Sequence, residues 1–564
     1  MTSTPGPQQP DPGANAMTDR FRDVAGKVLD TLLADAPEWA DELGDHRFRD
    51  RLSDHSPDAD VRRAGVLTDA LGALDEIDDA MLPPADHVDL ETLRTRVSAD
   101  LWRLTELRPH TWDPLRHLPG DALYGLIARE ALPVGDRLEA LAARCRAVPG
   151  FLAVARDVLG NGPGMPRVHV ETAIAQARGA ASLLGADLDA LLEAEPGLRA
   201  KVEPARDAAR EALASHAEWL EAELDSATAD PRLGEREYAA QLWYTLDSEL
   251  SPETLLTRAE SDLIATEEEI AEVAAEYDGR PRYRGQVREV LDRLAAEAAT
   301  GADDIGPLCE QAFERLLART AELDLVSVLD DPVRIIPMPE SRRGVAVAYC
   351  DPPGPLSPAT GEPTLIAVAP PPADWSTERQ ASFYREYNGH MLRNLMAHEG
   401  VPGHALQLAH AARYRGGTRV RQAMPSGSFI EGWAVYTEEL LAYAGWDDAG
   451  DLPLRLVQLK MRLRMILNAI LDVRTHTRSI TEAEAMDLLV ERGHQEEGEA
   501  AGKWRRARLT SAQLSTYYVG YREVNGIARD LSAARPRTGQ RAVHDEMLAH
   551  ASPSPRHLRA LLGV

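Results

Sequence analysis

Apolar residues follow a helical period along most of the chain. From about residue 17 to residue 325 they recur at intervals of three and four, as in LDTLLADAPEWADEL and RLEALAARCRAV. Such spacing is typical of amphipathic helices. Breakers such as NGPGMP and DPRLGERE separate the runs at intervals typical of helix–helix turns. The first part of the chain is therefore predicted to be helical, without a fixed repeat.

The pattern changes near residue 325. Three short runs rich in β-branched residues, LVSVLDDPVRIIPMP, GVAVAYCDPPGP and PTLIAVAPPP, are bounded by proline and glycine. They predict a small sheet of about three strands near residues 325–370, and helical spacing returns after APPPADW. We therefore predict a mainly α protein, a large helical bowl or bundle enclosing a cleft. Residues 17–325 would wall the cleft, and residues 326–564 would carry the sheet and the helices with the candidate site.

The N-terminus and the cysteines bear on location. Residues 1–16 are rich in proline, glycine and glutamine and are predicted to form a disordered tail. They lack the basic start and apolar segment of a secretory signal. The three cysteines, Cys145, Cys309 and Cys350, form no C-x-x-C pair, so they predict neither a disulfide framework nor a thiolate zinc site. These features favour the cytoplasm.

Composition and charge exclude some classes of partner. Apolar residues make up 44% of the 564 residues, enough for a substantial core. No apolar run approaches the roughly 18 residues of a membrane-spanning helix. The formal net charge of −29 repels phosphate backbones and anionic membranes. We therefore expect no nucleic-acid or membrane partner; the oligomeric state is not indicated.

The stretch HEGVPGH, residues 398–404, is the first candidate for chemistry. It opens like the zinc-protease signature H-E-x-x-H, but its second histidine arrives two residues late. A capping box at Thr377 and Gln380 predicts one helix that runs into the motif. On that helix Leu395 and His398 share the face of the apolar stripe, so His398 should point into the protein.

Whether the two histidines meet depends on the backbone between them. In an uninterrupted helix His404 would lie about 240° around the axis from His398, too far to share a metal. Pro402, however, cannot donate a hydrogen bond to the His398 carbonyl, and its ring clashes there. The helix must bulge or break, with Gly400 and Gly403 taking unusual torsions, and the second histidine could then return to the same face. The alternative is an ordinary helix end with two incidental histidines.

A catalytic zinc site also needs a third protein ligand and an open position for water. Glu431, in SGSFIEGWAVYTEEL, follows His404 at a distance that leaves room for a loop and a returning helix. Alternatively, Ser428 and Glu431 form a capping box that closes the helix end. Glu438 shares the face of Glu431 and could orient a ligand or replace one. Glu439 is expected to be solvated.

Two further groups are candidates for the same site. In NAILDVRTHT, Asp472 and His476 stand four residues apart on one helix face, and such a pair can orient the histidine toward a reacting oxygen or a metal ligand. QLSTYYVGYREV groups Tyr517, Tyr518 and Tyr521, and a phenol near a metal could donate to an oxyanion. The alternatives are a buried structural pair and an aromatic core stripe.

The combination of these blocks resembles a known family. HEGVPGHALQ, FIEGWAVYTE, D-x-x-x-H followed by SIT, and QLSTYYVG resemble, in that order, the signature blocks of the bacterial family named domain of unknown function 885. That family is regarded as zincin-type metallopeptidases, distantly similar to thimet oligopeptidase and thermostable carboxypeptidase. Upstream blocks such as LGDHRFRDRLSDHSPDA and RVHVETAIAQARG extend the resemblance over nearly the whole chain.

Carried over to this chain, the resemblance implies three metal ligands: His398, His404 and Glu431. It further implies Glu399 as the general base and a transition-state role for Tyr517 and His476. The chain departs from the family pattern at three positions. Asn468 stands where the family often has arginine, Ile480 where it has tryptophan, and Tyr518 where a lysine is common. These departures bear on substrate recognition more than on the metal.

The first functional hypothesis is a zinc-dependent hydrolase of an amide bond, a peptidase or carboxypeptidase-like enzyme acting on short peptides, with one Zn²⁺ per chain. Glu399 would take a proton from the attacking water, and Tyr517 or His476 would stabilise the oxyanion. A carboxypeptidase also needs a cation for the terminal carboxylate of its substrate.

The candidates for substrate contacts are three cations and two further polar residues: Arg522, Arg474, Arg393, Tyr518 and Asp472. Two other functions stay open. A non-haem iron enzyme, or a tailoring hydrolase of a small non-peptide amide, could use the same two histidines and one glutamate. An inactive helical binding protein could keep the site as a remnant.

Overall fold

The computed structural model describes residues 12–338, 348–357, 361–371, 375–447 and 450–564. Helices dominate these residues, and one small sheet lies between two helical blocks along the chain. The predicted fold class, a mainly α protein with a small sheet, is therefore confirmed. None of the described helices is long and apolar enough to cross a membrane.

The helices before the sheet begin with signals that the sequence carries. Ser56 and Ser251 each accept a hydrogen bond from a main-chain N–H of the first turn, and a proline follows each serine, which is a favoured start of a helix. The first helix begins at Pro12, inside the stretch predicted as a tail, and residues 1–11 lie outside the described residues. This first block contains α1 (Pro12–Asp35), α2 (Pro37–Glu42), α3 (Pro57–Asp75), α4 (Pro84–Trp102), α5 (Gly120–Ala128), α6 (Val134–Gly160), α7 (Arg167–Leu183), α8 (Ala186–Ala194), α9 (Arg199–Ala222), α10 (Glu235–Leu246), α11 (Pro252–Asp278), α12 (Gln286–Glu297) and α13 (Ile305–Glu322).

In the described part of the chain the sheet has three strands, β1 (Val333–Pro337), β2 (Ala348–Asp351) and β3 (Thr364–Val368). The central strand, β3, pairs in parallel with β1, Ile366 opposite Ile335, and antiparallel with β2, Ile366 opposite Cys350. Most of β3 is buried, so it is a continuous apolar run, as buried strands are. The predicted small sheet is confirmed, although residues 344–347 of the run GVAVAYC lie outside the described residues.

The helices after the sheet form the second block. It contains α14 (Thr377–Glu386), α15 (Gly389–Glu399), α16 (His404–Ala412), α17 (Val420–Ala423), α18 (Gly427–Ala444), α19 (Leu452–Arg478), α20 (Glu482–Asp487), α21 (Glu497–Leu509), α22 (Ser515–Ala534), α23 (Gln540–Leu548) and α24 (Pro555–Leu562). One apolar core joins this block to the first, because Tyr238 and Leu263 pack in the same cluster as Leu463 and Tyr518. Helices α10 and α11 therefore support the helices that carry the candidate site.

The single helix predicted over residues 377–399 is instead two helices, α14 and α15. Tyr387, between them, leaves the helical torsions with φ −101° and ψ 51°. The Asn388 side chain then accepts hydrogen bonds from the main-chain N–H groups of His390 at 3.1 Å and Met391 at 3.2 Å. Asparagine is a strong helix cap, so the Asn-Gly pair in REYNGHM starts a new helix.

The start of α14 also differs from the prediction. Its cap is Ser376, whose Oγ accepts a hydrogen bond from the N–H of Arg379 at 3.3 Å, one residue earlier than the predicted cap, Thr377. Gln380 does not close a capping box there; its side chain donates to the carbonyl of Trp375 at 3.0 Å. The shift moves the start of α14 by one residue and leaves α15, the helix of the first histidine, unchanged.

Candidate metal centre

The helical backbone is interrupted at the glycines of HEGVPGH. Helix α15 ends at Glu399 and α16 begins at His404, so the interruption predicted from Pro402 is confirmed. Between the two helices the chain turns back against the end of α15, where a Cβ atom on Gly403 would lie 2.0 Å from the carbonyl oxygen of His398. Only glycine fits such an approach, which explains the second glycine of the motif.

A buried indole holds this turn in place. Trp433 is fully buried, and its Nε1–H donates to the carbonyl oxygen of Pro402 at 2.8 Å. Trp433 belongs to α18, the helix that also carries Glu431. The helix of the candidate third ligand therefore also fixes the turn between the two histidines.

The turn brings the three predicted ligands together. The Nε2 atoms of His398 and His404 each lie 3.5 Å from Oε2 of Glu431. All three ligand atoms are within 4.8 Å of one another, and in the described residues no other group of three or more His, Cys, Asp or Glu side chains could hold a metal ion. Helix α18 begins after Ser426, and the Ser428 hydroxyl has no partner among the described residues, so the alternative capping box is not formed.

The spacing of the ligand atoms fits a tetrahedral cation. Nitrogen and oxygen ligands about 2.0–2.2 Å from a zinc ion lie roughly 3.3–3.6 Å from one another in that geometry, and both separations from Glu431 are 3.5 Å. Oε2 of Glu431 is buried and accepts no hydrogen bond in the described part of the chain. A buried carboxylate oxygen is costly without a partner, and a divalent ion would supply one.

Glu438 orients the first histidine. Its Oε1 lies 2.7 Å from Nδ1 of His398 and its Oε2 accepts a hydrogen bond from the Asn394 amide at 2.6 Å, while the residue is only 3% exposed. A carboxylate on Nδ1 leaves the lone pair of Nε2 free to face a metal. Of the two roles that the sequence left open for Glu438, the geometry therefore favours orientation of a ligand over replacement of one. By contrast, Nδ1 of His404 has no partner among the described residues.

Glu399, the predicted general base, is buried at the end of α15. Its carboxylate makes no hydrogen bond or ion pair with any described residue. Its charge acts on His398 and on Cys350 of β2, where burial and then Glu399 raise the pKa of the thiol. The carboxylate is therefore near both the first histidine and Cys350 of the sheet, and it has no hydrogen-bond partner among the described residues.

Two glycines let α18 and α22 touch at the site. A Cβ atom on Gly432 would lie 2.3 Å from the carbonyl carbon of Gly520, and one on Gly520 would lie 2.0 Å from the carbonyl oxygen of Ser428. This backbone contact places Tyr517 of α22 near Glu431 of α18. Burial and then the Glu431 charge raise the pKa of the Tyr517 phenol, so the phenol keeps its proton and can donate it in a hydrogen bond.

The pair Asp472 and His476 lies in a structural setting. Nδ1 of His476 accepts a hydrogen bond from the N–H of Leu233 at 3.3 Å, and Nε2 is 3.0 Å from the carbonyl of Thr510. With both ring nitrogens bonded to the main chain, His476 has none left for an oxyanion. Asp472 accepts hydrogen bonds from the N–H and hydroxyl of Ser515. The interpretation of His476 as catalytic and Asp472 as substrate-binding is corrected to the alternative, a buried pair that ties α19 to the start of α22.

Tyr518 and Arg522 are also occupied away from the ligands. Both donate to Oδ2 of Asp262 on α11, at 2.7 Å and 2.5 Å. Tyr518 is 2% exposed within the apolar core. Their predicted role in substrate binding is therefore replaced by a link between α22 and α11, which fits the alternative of a core stripe for Tyr518.

The other two candidate cations have partners as well. Arg474 donates to Glu260 at 2.6 Å, and the Arg393 guanidinium lies 4.9 Å from the ring centre of Trp446. Glu439, expected to be solvated, instead accepts from the hydroxyl of Tyr521 at 2.7 Å and pairs with an arginine of α19. Of the three arginines considered from the sequence, Arg474 and Arg522 pair with acidic side chains and Arg393 stacks on Trp446.

Two residues near the site were not singled out from the sequence. Lys503 and Arg506 lie on α21, in the stretch GKWRRAR, where a run of charge on a helix usually indicates a solvated face. Lys503 is nevertheless only 6% exposed, and Glu431 acts on its charge. Arg506 donates to the Tyr517 hydroxyl at 3.3 Å. The one signal available in the sequence was the three-residue spacing of the two cations.

Comparisons with known proteins agree with this architecture. A structure described as "a putative lipoprotein of unknown function from Shewanella oneidensis" has a TM-score of 0.80 and 26% identity, covering 96% of this chain and 100% of that chain. A second, "the putative lipoprotein from Colwellia psychrerythraea", has a TM-score of 0.78 and 14% identity, covering 98% of this chain and 99% of that chain. Among proteins with curated descriptions, none matches the chain. Residues 37–562 match the family described as "Bacterial protein of unknown function (DUF885)", and the chain therefore belongs to that family.

Proposed function

We propose that the protein is a zinc-dependent hydrolase of amide bonds, a zincin-type peptidase that acts on short peptides. The observation that carries the proposal is the convergence of His398, His404 and Glu431, with separations of 3.5 Å between each imidazole and the carboxylate. Two histidines and one carboxylate leave a position open for water, as catalytic zinc sites do.

The chemistry divides between the ion and the residues around it. When bound, zinc lowers the pKa of its water to about 7 and polarises a carbonyl oxygen. Glu399, buried and without a hydrogen-bond partner in the described chain, would accept the proton of the attacking water and pass it to the leaving amine. The Tyr517 hydroxyl would donate a hydrogen bond to the oxygen on which negative charge develops.

Metal analysis and digestion test the proposal. Protein purified without added metal should contain one zinc per chain and cleave members of a short-peptide library, and a chelator should abolish cleavage. Iron in place of zinc, without hydrolysis, would favour the non-haem iron alternative. If the protein contains zinc but cleaves no peptide of the library, an inactive binding protein or a hydrolase of non-peptide amides is favoured.

The Glu399→Gln variant tests the assigned base. It should retain zinc and lose turnover by about 10²–10⁴-fold, the usual contribution of general acid–base catalysis. Glu268→Gln, at an exposed position of α11, is the control and should behave as the wild type. Hydrolysis by Glu399→Gln at the wild-type rate would overturn the mechanism.

We also propose a cytoplasmic location, supported by three unpaired cysteines, of which Cys145 and Cys309 are buried. The two similar structures are each described as a "putative lipoprotein". Cell fractionation tests the proposed location. Recovery with the membrane fraction, released by detergent and not by salt, would contradict a cytoplasmic location.

A further inference from the structure

A buried lysine near the candidate metal centre makes no direct ion pair, although the charge of Glu499 acts on it. Lys503, on α21, is 6% exposed and makes no hydrogen bond or ion pair with any residue that the structure describes. The charged residues around it are satisfied: Arg464 pairs with Glu499, and Lys460 donates to Glu386 at 2.8 Å. A buried cation without a partner is costly, so its retention points to a partner that the chain itself does not supply.

The position of Lys503 relates this cation to the reacting centre. Glu431, the candidate metal ligand, is among the groups whose charge acts on Lys503. Arg506 lies three residues further along α21, on the same face of the helix, and donates to Tyr517 at 3.3 Å. The hydrogen bond from Arg506 to Tyr517 therefore connects Lys503, one helical turn away from Arg506, to the neighbourhood of Glu431. Burial and then Arg464 and Arg506 lower the pKa of Lys503 well below its usual value, and an incoming anion would stabilise the charged ammonium.

We propose that Lys503, assisted by Arg506, binds a carboxylate of the substrate beside the metal centre. Resting on the proposed function, this assigns the substrate class: short peptides whose free C-terminal carboxylate lies next to the scissile bond. The three arginines that could have filled this role from the sequence, Arg522, Arg474 and Arg393, have other partners. One ammonium and one guanidinium on adjacent turns can both form charge-assisted hydrogen bonds with a compact carboxylate.

Binding of a small dicarboxylate tests the subsite without turnover. Benzylsuccinate offers one carboxylate to the metal and a second to a cation, and its affinity for the zinc-loaded full chain can be measured by titration calorimetry. Lys503→Met should weaken binding by about 10–100-fold, the range for loss of a hydrogen bond to a charged group. Lys503→Arg should recover most of the affinity. Lys201→Met, a surface lysine paired with Glu139, should bind as the wild type.

Kinetics on a matched pair of substrates completes the test. For benzoyl-glycyl-phenylalanine, Lys503→Met should raise KM by about 10–100-fold with kcat little changed, because binding of a remote group is lost. For the C-terminal amide of the same compound, the variant and the wild type should have equal KM and kcat. An equal fall in kcat/KM for the acid and the amide would show that Lys503 has a structural role and would overturn the subsite. Wild-type protein that does not bind benzylsuccinate, or a Lys503→Met variant that binds it as tightly as the wild type, would also overturn the subsite.

The two proposals fail in different ways. If wild-type protein cleaves the acid and the amide equally well, the peptidase function is supported and the carboxylate subsite is contradicted. If wild-type protein binds zinc and benzylsuccinate, Lys503→Met weakens the binding of benzylsuccinate, and no peptide is cleaved, the carboxylate subsite is supported and the peptidase function is contradicted. Circular dichroism of each variant shows whether it is folded, and Lys503→Arg keeps the charge where Lys503→Met does not.

Discussion

At the scale of single residues, the metal centre depends on side chains that do not themselves touch the ion site. Glu438 sets the tautomer of His398 from a distance of 2.7 Å, and Trp433 holds the carbonyl of Pro402 at 2.8 Å. Both belong to α18, as does Glu431. One helix therefore supplies a candidate ligand, the group that orients another, and the hydrogen bond that fixes the turn between the histidines.

Glu438→Gln should weaken zinc binding by about 10–100-fold, because groups that orient metal ligands contribute about that much to affinity. A chelator-competition titration measures the change. Glu439→Gln is the matched control, since it removes the same charge from the next position of α18, where the carboxylate bonds to Tyr521 and not to a histidine. Equal zinc affinity in Glu438→Gln and the wild type would contradict the assignment.

Trp433→Phe should destabilise the protein by about 1–3 kcal/mol more than a phenylalanine substitution that breaks no hydrogen bond, because the Pro402 carbonyl would be buried and unpaired. Trp504→Phe is that reference, since Trp504 is also buried and its indole N–H has no partner in the described chain. Urea unfolding gives both free energies. Equal losses in the two variants would show that the hydrogen bond does not stabilise the turn.

At the scale of elements, the crossing of α18 and α22 brings the two sequence blocks EGW and YYVG together. Gly432 and Gly520 meet backbone to backbone, with 2.3 Å between a Cβ added at Gly432 and the carbonyl carbon of Gly520. Because the helices touch there, Glu431 and Tyr517 lie on adjoining turns of the two helices. A larger residue at the crossing would separate a candidate metal ligand from the candidate oxyanion donor.

Gly432→Ala should destabilise the fold by about 1–3 kcal/mol, the usual cost of overpacking a core contact, and should lower peptidase activity by displacing Tyr517. Gly427→Ala is the control in the same helix, because a Cβ there meets nothing within 4 Å and alanine is the better helix former. Thermal unfolding and zinc-loaded activity measure both effects. A Gly432→Ala variant as stable and active as Gly427→Ala would be inconsistent with a close crossing.

At the scale of the whole molecule, histidines buried as neutral groups make the fold sensitive to acid. His169, His216 and His544 are exposed by 2% or less. Burial, the largest cause for each, lowers the pKa of these side chains from 6.5 to about 4. Their folded pKa lies below the unfolded value, so the unfolded chain takes up protons first as the pH falls from about 6.5 to about 4. Stability present above pH 6.5 is therefore lost in that interval.

Each of these histidines should contribute a loss of up to roughly 3 kcal/mol between pH 6.5 and pH 4. The free energy of unfolding, measured in urea at pH 7.5, 6 and 5, should fall steadily with pH. His544→Gln should make the free energy of unfolding depend less on pH. Glutamine can replace the hydrogen bonds of His544 to the Leu325 carbonyl and the Tyr436 hydroxyl without taking up a proton. A flat profile from pH 7.5 to pH 5 would contradict this origin.

Local rules were sufficient for much of the fold and for the centre of the site. Apolar spacing predicted the two helical blocks, β-branched runs predicted the sheet, and Pro402 predicted the break that brings His398 and His404 together. Local rules failed where a nearby signal was overlooked, as at Asn388, whose cap divides one predicted helix into two. They also failed where the partner is distant along the chain, as for His476, which bonds to Leu233.

The sequence by itself therefore determined most of the secondary structure, the interruption at HEGVPGH and the pool of residues capable of metal chemistry, because these depend on backbone sterics and side-chain type over a few residues. Only the tertiary structure decided which members of that pool act together. Glu431 meets the histidines through helix packing, and Arg522 and Arg474 are paired with acids of α11. Lys503 is buried without a direct ion pair in the described chain. Charge pairing and burial depend on which helices become neighbours, and that is a property of the folded chain.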